Sequence, residues 1–353
     1  MSLLRRHALL GSSFLPVESF VFGSLTSDDI KWVGQVLAPN GKIYCAPFNA
    51  SSILVIDPSD NSTTTFGSFG DASGKYVGLC LAPNGKIYCI PLNATSILVI
   101  DPSDNSTSTF GSFSGSIKYA GASLATNGKI YCTPLIASSV LVIDPSDNST
   151  TTIGGLGSYG GGYGNVLAPN GKIYCAPYNA SSILVIDPSD NSTTTFGSFG
   201  STSGKYAGLV LAPNGKIYCA PFNASSILVI DPSDNSTTTI DIFQSGGGKY
   251  FTLSIAKNGK IYLSPYGETR IFEIDPSDNS IRLVISGVSG STKYSGGTYV
   301  DSKGAVYFCP ATADEVLGLA NVNTPNVLGA DAQMPVDLNN LSTSAYNRYY
   351  NKL

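Results

Sequence analysis

A lysine followed directly by an aromatic residue recurs along this chain, and these pairs are the side chains best suited to hold a ligand. An aromatic ring can stack against a ligand, and an ammonium group attracts carboxylate or sulfate. In the fourth occurrence a glycine replaces the lysine, leaving an aromatic residue alone. The set is Lys31, Trp32, Lys75, Tyr76, Lys118, Tyr119, Tyr163, Lys205, Tyr206, Lys249, Tyr250, Lys293 and Tyr294. We predict that they form a ligand-binding ring; the alternative is that each aromatic residue wedges between structural units while its lysine reaches solvent.

Residues suited to catalysis are scarce. The single histidine, His7, precedes the repeats, so a Ser-His-Asp triad or a histidine metal site is not expected. If an acid–base or metal site exists, we would look near Glu268 and Glu315, which fall in corresponding loops close to Arg270 and Asp314. We therefore predict no catalytic residues, no metal ligands and no cofactor, so the protein is not expected to be an enzyme.

The pairs recur because the whole chain is a repeat. A turn glycine recurs at intervals of 43 to 45 residues, at Gly41, Gly85, Gly128, Gly171, Gly215, Gly259 and Gly304. A fixed period of this length is typical of propellers and other repeat arrays. Seven copies account for nearly the whole chain.

Each copy predicts four antiparallel strands, as the fifth copy illustrates. Asn214-Gly215 between two apolar runs is a strong hairpin signal, because a type I′ turn needs positive φ at both central residues. Residues 226–230 form an apolar run that fits a strand buried on both faces, and residues 237–240 are β-branched and fit an outer strand. Four such strands make one propeller blade.

The predicted fold is therefore all-β: a seven-bladed β-propeller of four-stranded antiparallel blades. We predict that an N-terminal strand within residues 18–25 completes the blade whose other strands lie in residues 297–319, because joining the chain ends removes open sheet edges. The alternative closing strand is residues 326–329. The predicted units are an extension at 1–15, the propeller at 16–321 and an extended tail at 322–353.

Composition limits the partners. Charged residues make up 12% of the chain and the net charge is −4, which provides no basic surface for nucleic acid. No apolar run is long enough to span a membrane. Five cysteines share one slot of the second strand (Cys45, Cys89, Cys132, Cys175 and Cys219), which predicts buried free thiols in a reducing compartment.

Residues 216–237, KIYCAPFNASSILVIDPSDNST, resemble the blade motif of YncE-like and NHL-type seven-bladed propellers. The resemblance implies the fold, but it implies no single activity, since such propellers include lactonases, lyases and binding modules. Lyase and hydrolase members usually carry histidines or several carboxylates around the channel. This sequence departs from them there.

The basic start MSLLRRHALLGS (residues 1–12) and the polar, tyrosine-rich end LNNLSTSAYNRYYNKL (residues 338–353) are similar to the ends of tailed-phage virion proteins. Arg5, Arg6, Tyr346, Arg348, Tyr349 and Tyr350 are the predicted partner-docking residues. The leading hypothesis is a non-catalytic display propeller of a virus or phage particle, docked through its termini onto other structural proteins and recognising a surface glycan. The virion is the predicted location, and the cytoplasm otherwise; homo-oligomerisation is left open. The rivals are a propeller-type lyase or metal-dependent hydrolase, and a cytosolic peptide-binding scaffold.

Overall fold

The protein is a ring of seven four-stranded antiparallel sheets, as the sequence predicts. The computed structural model describes residues 16–26, 29–157, 159–242, 246–290 and 292–322. The predicted extension at 1–15, all of the tail beyond Val322, and the alternative closing strand at 326–329 lie outside these ranges. No helix in the described ranges is both long and apolar enough to cross a membrane.

Blades 1 to 6 are formed by consecutive strands, and blade 7 combines the two ends of the described chain. The strands of blades 1 and 2 are β2 (Trp32–Leu37), β3 (Ile43–Pro47), β4 (Ile53–Asp57), β5 (Ser62–Phe66), β6 (Tyr76–Leu81), β7 (Ile87–Pro91), β8 (Ile97–Asp101) and β9 (Ser106–Phe110). Those of blades 3 and 4 are β10 (Tyr119–Leu124), β11 (Ile130–Pro134), β12 (Val140–Asp144), β13 (Ser149–Ile153), β14 (Asn165–Leu167), β15 (Ile173–Cys175), β16 (Ile183–Asp187) and β17 (Ser192–Phe196). Those of blades 5 and 6 are β18 (Tyr206–Leu211), β19 (Ile217–Pro221), β20 (Ser226–Asp231), β21 (Ser236–Asp241), β22 (Tyr250–Ile255), β23 (Ile261–Pro265), β24 (Arg270–Asp275) and β25 (Ser280–Ser286). Blade 7 consists of β26 (Thr298–Val300), β27 (Ala305–Phe308), β28 (Val316–Ala320) and β1 (Glu18–Phe22), with a 3-10 turn at Asp301–Lys303.

The hydrophobic core lies between blades, because each sheet has two apolar faces that it cannot cover alone. Between blades 4 and 5, for example, Val166 and Ile183 of one blade pack with Leu209, Ile217 and Cys219 of the next. All seven cysteines are buried free thiols, as the sequence predicts. Burial of such clusters between successive sheets is what bends the array into a ring.

The N-terminal strand closes the ring, which confirms the predicted closure. β1 pairs antiparallel with β28, from Glu18 opposite Ala320 to Phe22 opposite Val316. Across this pair, a Cβ at Gly318 would come within 2.1 Å of the Phe20 ring, so a larger residue there would have to displace that ring. The end of the described chain is also packed, since Val322 lies buried in the core between blades 6 and 7.

The two faces of the ring are formed by different loops. The lower face carries the Asn-Gly hairpin turns and the Asp-Pro-Ser-Asp turns, and the upper face carries the second-to-third-strand loops and the connectors between blades. On the lower face, Tyr174 of blade 4 donates its hydroxyl to Asn235 Oδ1 of blade 5 at 2.8 Å, and Asn170 Nδ2 donates to the Pro232 carbonyl at 2.9 Å. The same bonds recur at several blade junctions, which ties the turns of neighbouring blades together.

A bulge near the start of the innermost strand shapes the upper face. In blade 1, Trp32 pairs with Pro47 but the next paired residue, Gln35, faces Cys45. The one extra residue on β2 aims Val33 toward the channel mouth, as bulges commonly re-aim side chains. Gly34 has φ +74°, and a Cβ there would lie 2.3 Å from the Val77 carbonyl of blade 2. The inner strands can converge this closely only because that position is glycine.

Candidate functional site

The predicted Lys-aromatic pairs lie inside the ring. Apart from Tyr163, every lysine and aromatic residue of the set is buried, with at most 6% of its surface exposed. The pairs are therefore covered by the connectors between blades and do not stand open at the mouth of the channel. Ligand binding by the pairs stays a prediction.

The buried lysines are held by main-chain oxygens. Lys205 Nζ donates to the carbonyls of Thr202 at 2.6 Å, Asn179 at 3.4 Å and Gly200 at 3.4 Å. Lys75 makes the equivalent bonds three blades away. Burial lowers the pKa of both lysines below the usual value. Each ammonium thus fixes a connector against the loop of the preceding blade, rather than reaching solvent as the alternative interpretation assumed.

The aromatic partners wedge between blades, as the alternative interpretation expected. Trp32 Nε1 donates to the Ser52 carbonyl at 2.8 Å and its ring packs in the core between blades 7 and 1. Tyr206 packs with Phe199 in the core between blades 4 and 5. Trp and Tyr suit this slot because their rings fill the core while a polar tip can bond, as the Tyr250 hydroxyl does with the Arg270 carbonyl at 3.2 Å.

Blade 4 corrects the assignment of Tyr163. The pairing of Asn165 with Cys175 matches that of Gln35 with Cys45, so Tyr163 occupies the slot of Val33 and not that of Trp32. The wedge in blade 4 is Tyr159, whose hydroxyl donates to the Ser182 carbonyl at 2.9 Å. The glycine-rich connector before β14 changes the spacing between the wedge residue and the strand. Alignment of the repeats by sequence therefore placed Tyr163 in the wrong slot.

Tyr163 instead belongs to a group of aromatic side chains at the mouth of the channel, which we call the mouth cluster. Its members come from blades 4, 5 and 6, are all partly exposed, and have ring centroids 4.5 to 6.1 Å apart. They are Tyr163, Tyr178, Phe222, Phe251 and Tyr266. The sequence holds a signal for Tyr163 and Phe251, because most other copies have valine or alanine at that position.

The opposite side of the mouth is aliphatic. Val33, Val77, Leu92, Ala120 and Leu135 form a buried cluster there, against which members of the mouth cluster pack. Below it, the channel holds a cavity of about 50 Å³. A water molecule occupies about 30 Å³ in the liquid, so this space holds one or two. The cavity lining includes Gln35, Asn165 and several glycines but no acidic or basic side chain.

The carboxylates singled out for acid–base chemistry lie on the upper rim. Glu268 Oε2 forms an ion pair with Arg270 at 3.0 Å, and its Oε1 accepts a hydrogen bond from the Thr269 amide. Glu315 and Asp314 are exposed. Among the residues that the structure describes, no group of three or more His, Cys, Asp or Glu side chains is arranged to hold a metal ion. The predicted docking residues, Arg5, Arg6, Tyr346, Arg348, Tyr349 and Tyr350, lie outside the described ranges.

Comparisons with known proteins define the class of fold. A streptogramin B lyase superposes with a TM-score of 0.72 at 15% identity, covering 87% of this chain and 98% of that one. A catalytically inactive virginiamycin B lyase from Staphylococcus aureus with quinupristin gives a TM-score of 0.72 at 16% identity, covering 86% of this chain and 99% of that one. The extracellular domain of a hybrid two-component system from B. thetaiotaomicron gives 0.67 at 12% identity, covering 90% of this chain and 44% of that one. No protein-family model and no curated protein matches the sequence. This chain is a seven-bladed β-propeller, and at these identities the likeness shows the fold alone.

Proposed function

We propose that this protein is a non-catalytic binding propeller whose upper face recognises a glycan. The observation that carries the proposal is the mouth cluster, in which five aromatic side chains from three successive blades touch and remain partly exposed. Contiguous exposed aromatic surface on a soluble protein marks an interaction site.

A glycan fits this surface better than a charged partner does. Aromatic rings offer flat apolar faces on which a sugar ring can stack, while amide and hydroxyl groups around them bond its hydroxyls. Asn223 follows Phe222 directly, and the chain as a whole has only 12% charged residues. The face therefore suits stacking and neutral hydrogen bonds more than attraction between charges.

The non-catalytic part of the proposal is supported by the channel walls. The channel cavity is small, and the residues that line it include no acidic or basic side chain. Glu268 is already engaged by Arg270. A general acid or base must reach the group whose proton it transfers. Neither Glu268 nor Glu315 lines the channel cavity.

The recognition part is tested by removing the mouth cluster. The triple variant Tyr178→Ala, Phe222→Ala and Tyr266→Ala should bind a glycan array at least tenfold more weakly, which corresponds to about 1.4 kcal/mol. Leu283→Ala is the matched control, because Leu283 is 48% exposed but lies on the outer strand β25. Unchanged glycan binding by the triple variant would contradict the proposal, and peptide binding without glycan binding would favour the scaffold rival.

We further propose that the propeller is displayed on a larger assembly, for which a virus particle is the best candidate. The support is the resemblance of the chain ends to virion proteins and the near identity of the blades, which suits a display module. Deleting residues 340–353 should abolish incorporation into the particle while the thermal unfolding of the propeller stays the same. Normal incorporation of the truncated chain would refute this part and leave glycan recognition untouched.

A further inference from the structure

A second concave site lies on the upper face of blade 1, beside the ring closure. Its volume is about 450 Å³. Small-molecule sites typically span about 300–1,000 Å³. Its walls combine the carboxylates of Asp29 and Asp71, the amide of Asn49 and the apolar side chains of Leu25 and Trp32. We propose that this cavity is a pocket for one sugar residue that carries no acidic group, an inference that rests on the proposed glycan-binding function.

Asp29 is held in place before any ligand arrives. Its Oδ2 accepts a hydrogen bond from Asn49 Nδ2 at 3.1 Å, and its Oδ1 accepts one from the Ile30 amide at 2.8 Å. Asn49 is itself oriented, since its Oδ1 accepts from the Gly74 amide at 2.8 Å. A carboxylate has about four acceptor positions, so Asp29 keeps free acceptors for ligand hydroxyls. A group fixed in this way loses little freedom on binding.

The two carboxylates are departures from the repeat. Two residues before the Lys of the other Lys-aromatic pairs, where blade 1 has Asp29, the chain has only serine or glycine: Ser73, Ser116, Ser203, Gly247 and Ser291. Four residues before the lysine, where blade 2 has Asp71, every other such copy has serine: Ser27, Ser114, Ser201, Ser245 and Ser289. Both unique acids therefore line the same cavity, which a repeat alone does not produce.

Charge selects the kind of sugar. Asp29 and Asp71 place two carboxylates in the walls. Lys31 also lines the pocket, but only 3% of its surface is exposed and its Nζ donates to the Ala313 carbonyl at 3.1 Å, so the carboxylates outnumber the ammonium group. Carboxylates accept strong hydrogen bonds from hydroxyl or ammonium groups and repel another carboxylate or a sulfate. The pocket is therefore suited to neutral or amino sugars and disfavours uronic, sialic and sulfated ones.

The pocket adjoins the mouth of the channel. Phe48 packs against the aliphatic side of the mouth, and the next residue, Asn49, lines the pocket. A glycan chain crossing the upper face could thus place one residue in the pocket and others over the aromatic rings. This arrangement gives the proposed recognition surface an anchor at blade 1.

Trp32 provides a direct assay, because it is the only tryptophan in the chain and it lines the pocket. The full-length protein is titrated with the methyl glycosides of glucose, galactose, N-acetylglucosamine and glucosamine, and with glucuronic acid, while tryptophan emission is recorded. At least one neutral or amino sugar should change the emission with saturation, and glucuronic acid should not. Asp29→Ser and Asp71→Ser should each weaken that binding about tenfold to a hundredfold, as expected for a lost hydrogen bond to a charged group.

The variants and controls come from the chain itself. Serine occupies both positions in other copies, so the two variants should fold, which circular dichroism checks. Ser203→Ala and Asp241→Asn, elsewhere on the upper part of the ring, should leave the titration unchanged. One outcome refutes the pocket and leaves the proposed function standing. In it, the mouth-cluster variant loses glycan binding, but Asp29→Ser and Asp71→Ser change neither the tryptophan emission nor the affinity for the sugar. If no sugar or glycan binds at all, both fail.

Discussion

Where the second strand of blades 1 to 5 carries a buried cysteine, blade 6 carries Leu263 and blade 7 carries Phe308. The lower face divides the blades in a similar way. Tyr174 in blade 4 gives its hydroxyl to Asn235 of the next blade, whereas Tyr262 in blade 6 gives its hydroxyl to Glu273 of its own blade at 2.7 Å. Blade 7 keeps the repeated bond, since the Tyr307 hydroxyl donates to Asn61 Oδ1 of blade 1 at 3.1 Å, so the junction between blades 6 and 7 is where the described contacts differ.

The cause is the closure itself. In blade 7 the third and fourth strands are β28 and β1, which come from opposite ends of the described chain, so no Asp-Pro-Ser-Asp-Asn turn joins them. Tyr262 consequently lacks the asparagine that receives the hydroxyl elsewhere. Glu273, 9% exposed, takes its place and is paired with Arg282 at 2.9 Å, while Lys257 and Asp301 form an ion pair between blades 6 and 7 at 3.1 Å. At the junction of blades 6 and 7, ion pairs therefore replace the tyrosine–asparagine hydrogen bond, because blade 7 has no Asp-Pro-Ser-Asp-Asn turn.

The largest predicted effect is a loss of folding stability at alkaline pH, caused by the buried cysteines of blades 1 to 5. Burial raises the pKa of all five thiols above the ordinary value of 9.0, that of Cys175 to about 12. Above pH 9 the unfolded chain loses these protons while the folded chain keeps them, so stability is full below pH 9 and falls as pH rises. At about pH 10 each thiol costs about 1.4 kcal/mol, or about 7 kcal/mol for five. Urea unfolding between about pH 8 and pH 10 should show this fall.

The control replaces all five cysteines by alanine. The variant will be less stable at neutral pH because each substitution leaves a small cavity, but its stability should fall less between pH 8 and pH 10. The remaining fall comes from buried tyrosines, for example Tyr76, whose pKa burial raises to about 12. The buried lysines act in the opposite direction: burial lowers the pKa of Lys118 and Lys249, for example, so the unfolded state binds more protons near pH 10. If the alanine variant loses stability with pH as steeply as the natural chain, the thiols are not the cause.

The same comparison shows what sequence alone could supply. Blade number, strand order and closure followed from the spacing of the turn glycines and from one unmatched strand predicted within residues 18–25, of which 18–22 form β1. The burial of Lys75 and Lys205 could not be predicted in this way. The sequence of a Lys-Tyr pair is the same whether the connector turns away from the lysine or folds over it. In Lys75 it is the path of the connector that places three carbonyls around the ammonium group.

The mouth cluster and the pocket could be predicted from the sequence only in part. Phe251 and Asp71 depart from their copies, so a comparison of the copies could mark them as unusual. It could not show that Phe251 meets Tyr266 with centroids 5.4 Å apart, or that Asp71 faces the same cavity as Asp29. Phe251 and Tyr266 meet through the pairing of β22 with β23 within blade 6, whereas Asp29 and Asp71 lie in the connectors before and after blade 1.

A smaller effect tests the lower face. Tyr174→Phe should lower the free energy of unfolding by about 1–2 kcal/mol, because Asn235 Oδ1 loses a buried donor. Combined with Asn235→Ala in a double-mutant cycle, it should show a coupling energy of about 1 kcal/mol, which would report a bond between blades 4 and 5. Urea unfolding of the four proteins measures it.

Tyr262 sharpens the test, because its hydroxyl should be coupled within one blade. Tyr262→Phe and Glu273→Gln should show a similar or larger coupling energy, since the acceptor is a carboxylate that Arg282 also holds. Hydrogen exchange separates the two cases. Tyr174→Phe should speed exchange in the Asp231–Ser236 turn of the neighbouring blade, whereas Tyr262→Phe should speed it around Glu273 and leave blade 7 unchanged. Two results would contradict this comparison: no coupling between Tyr174 and Asn235, or equal loosening of the following blade by Tyr174→Phe and Tyr262→Phe. In either case blades 6 and 7 are joined as the other blades are, and the ion pair between Lys257 and Asp301 has no special part in holding the ring closed.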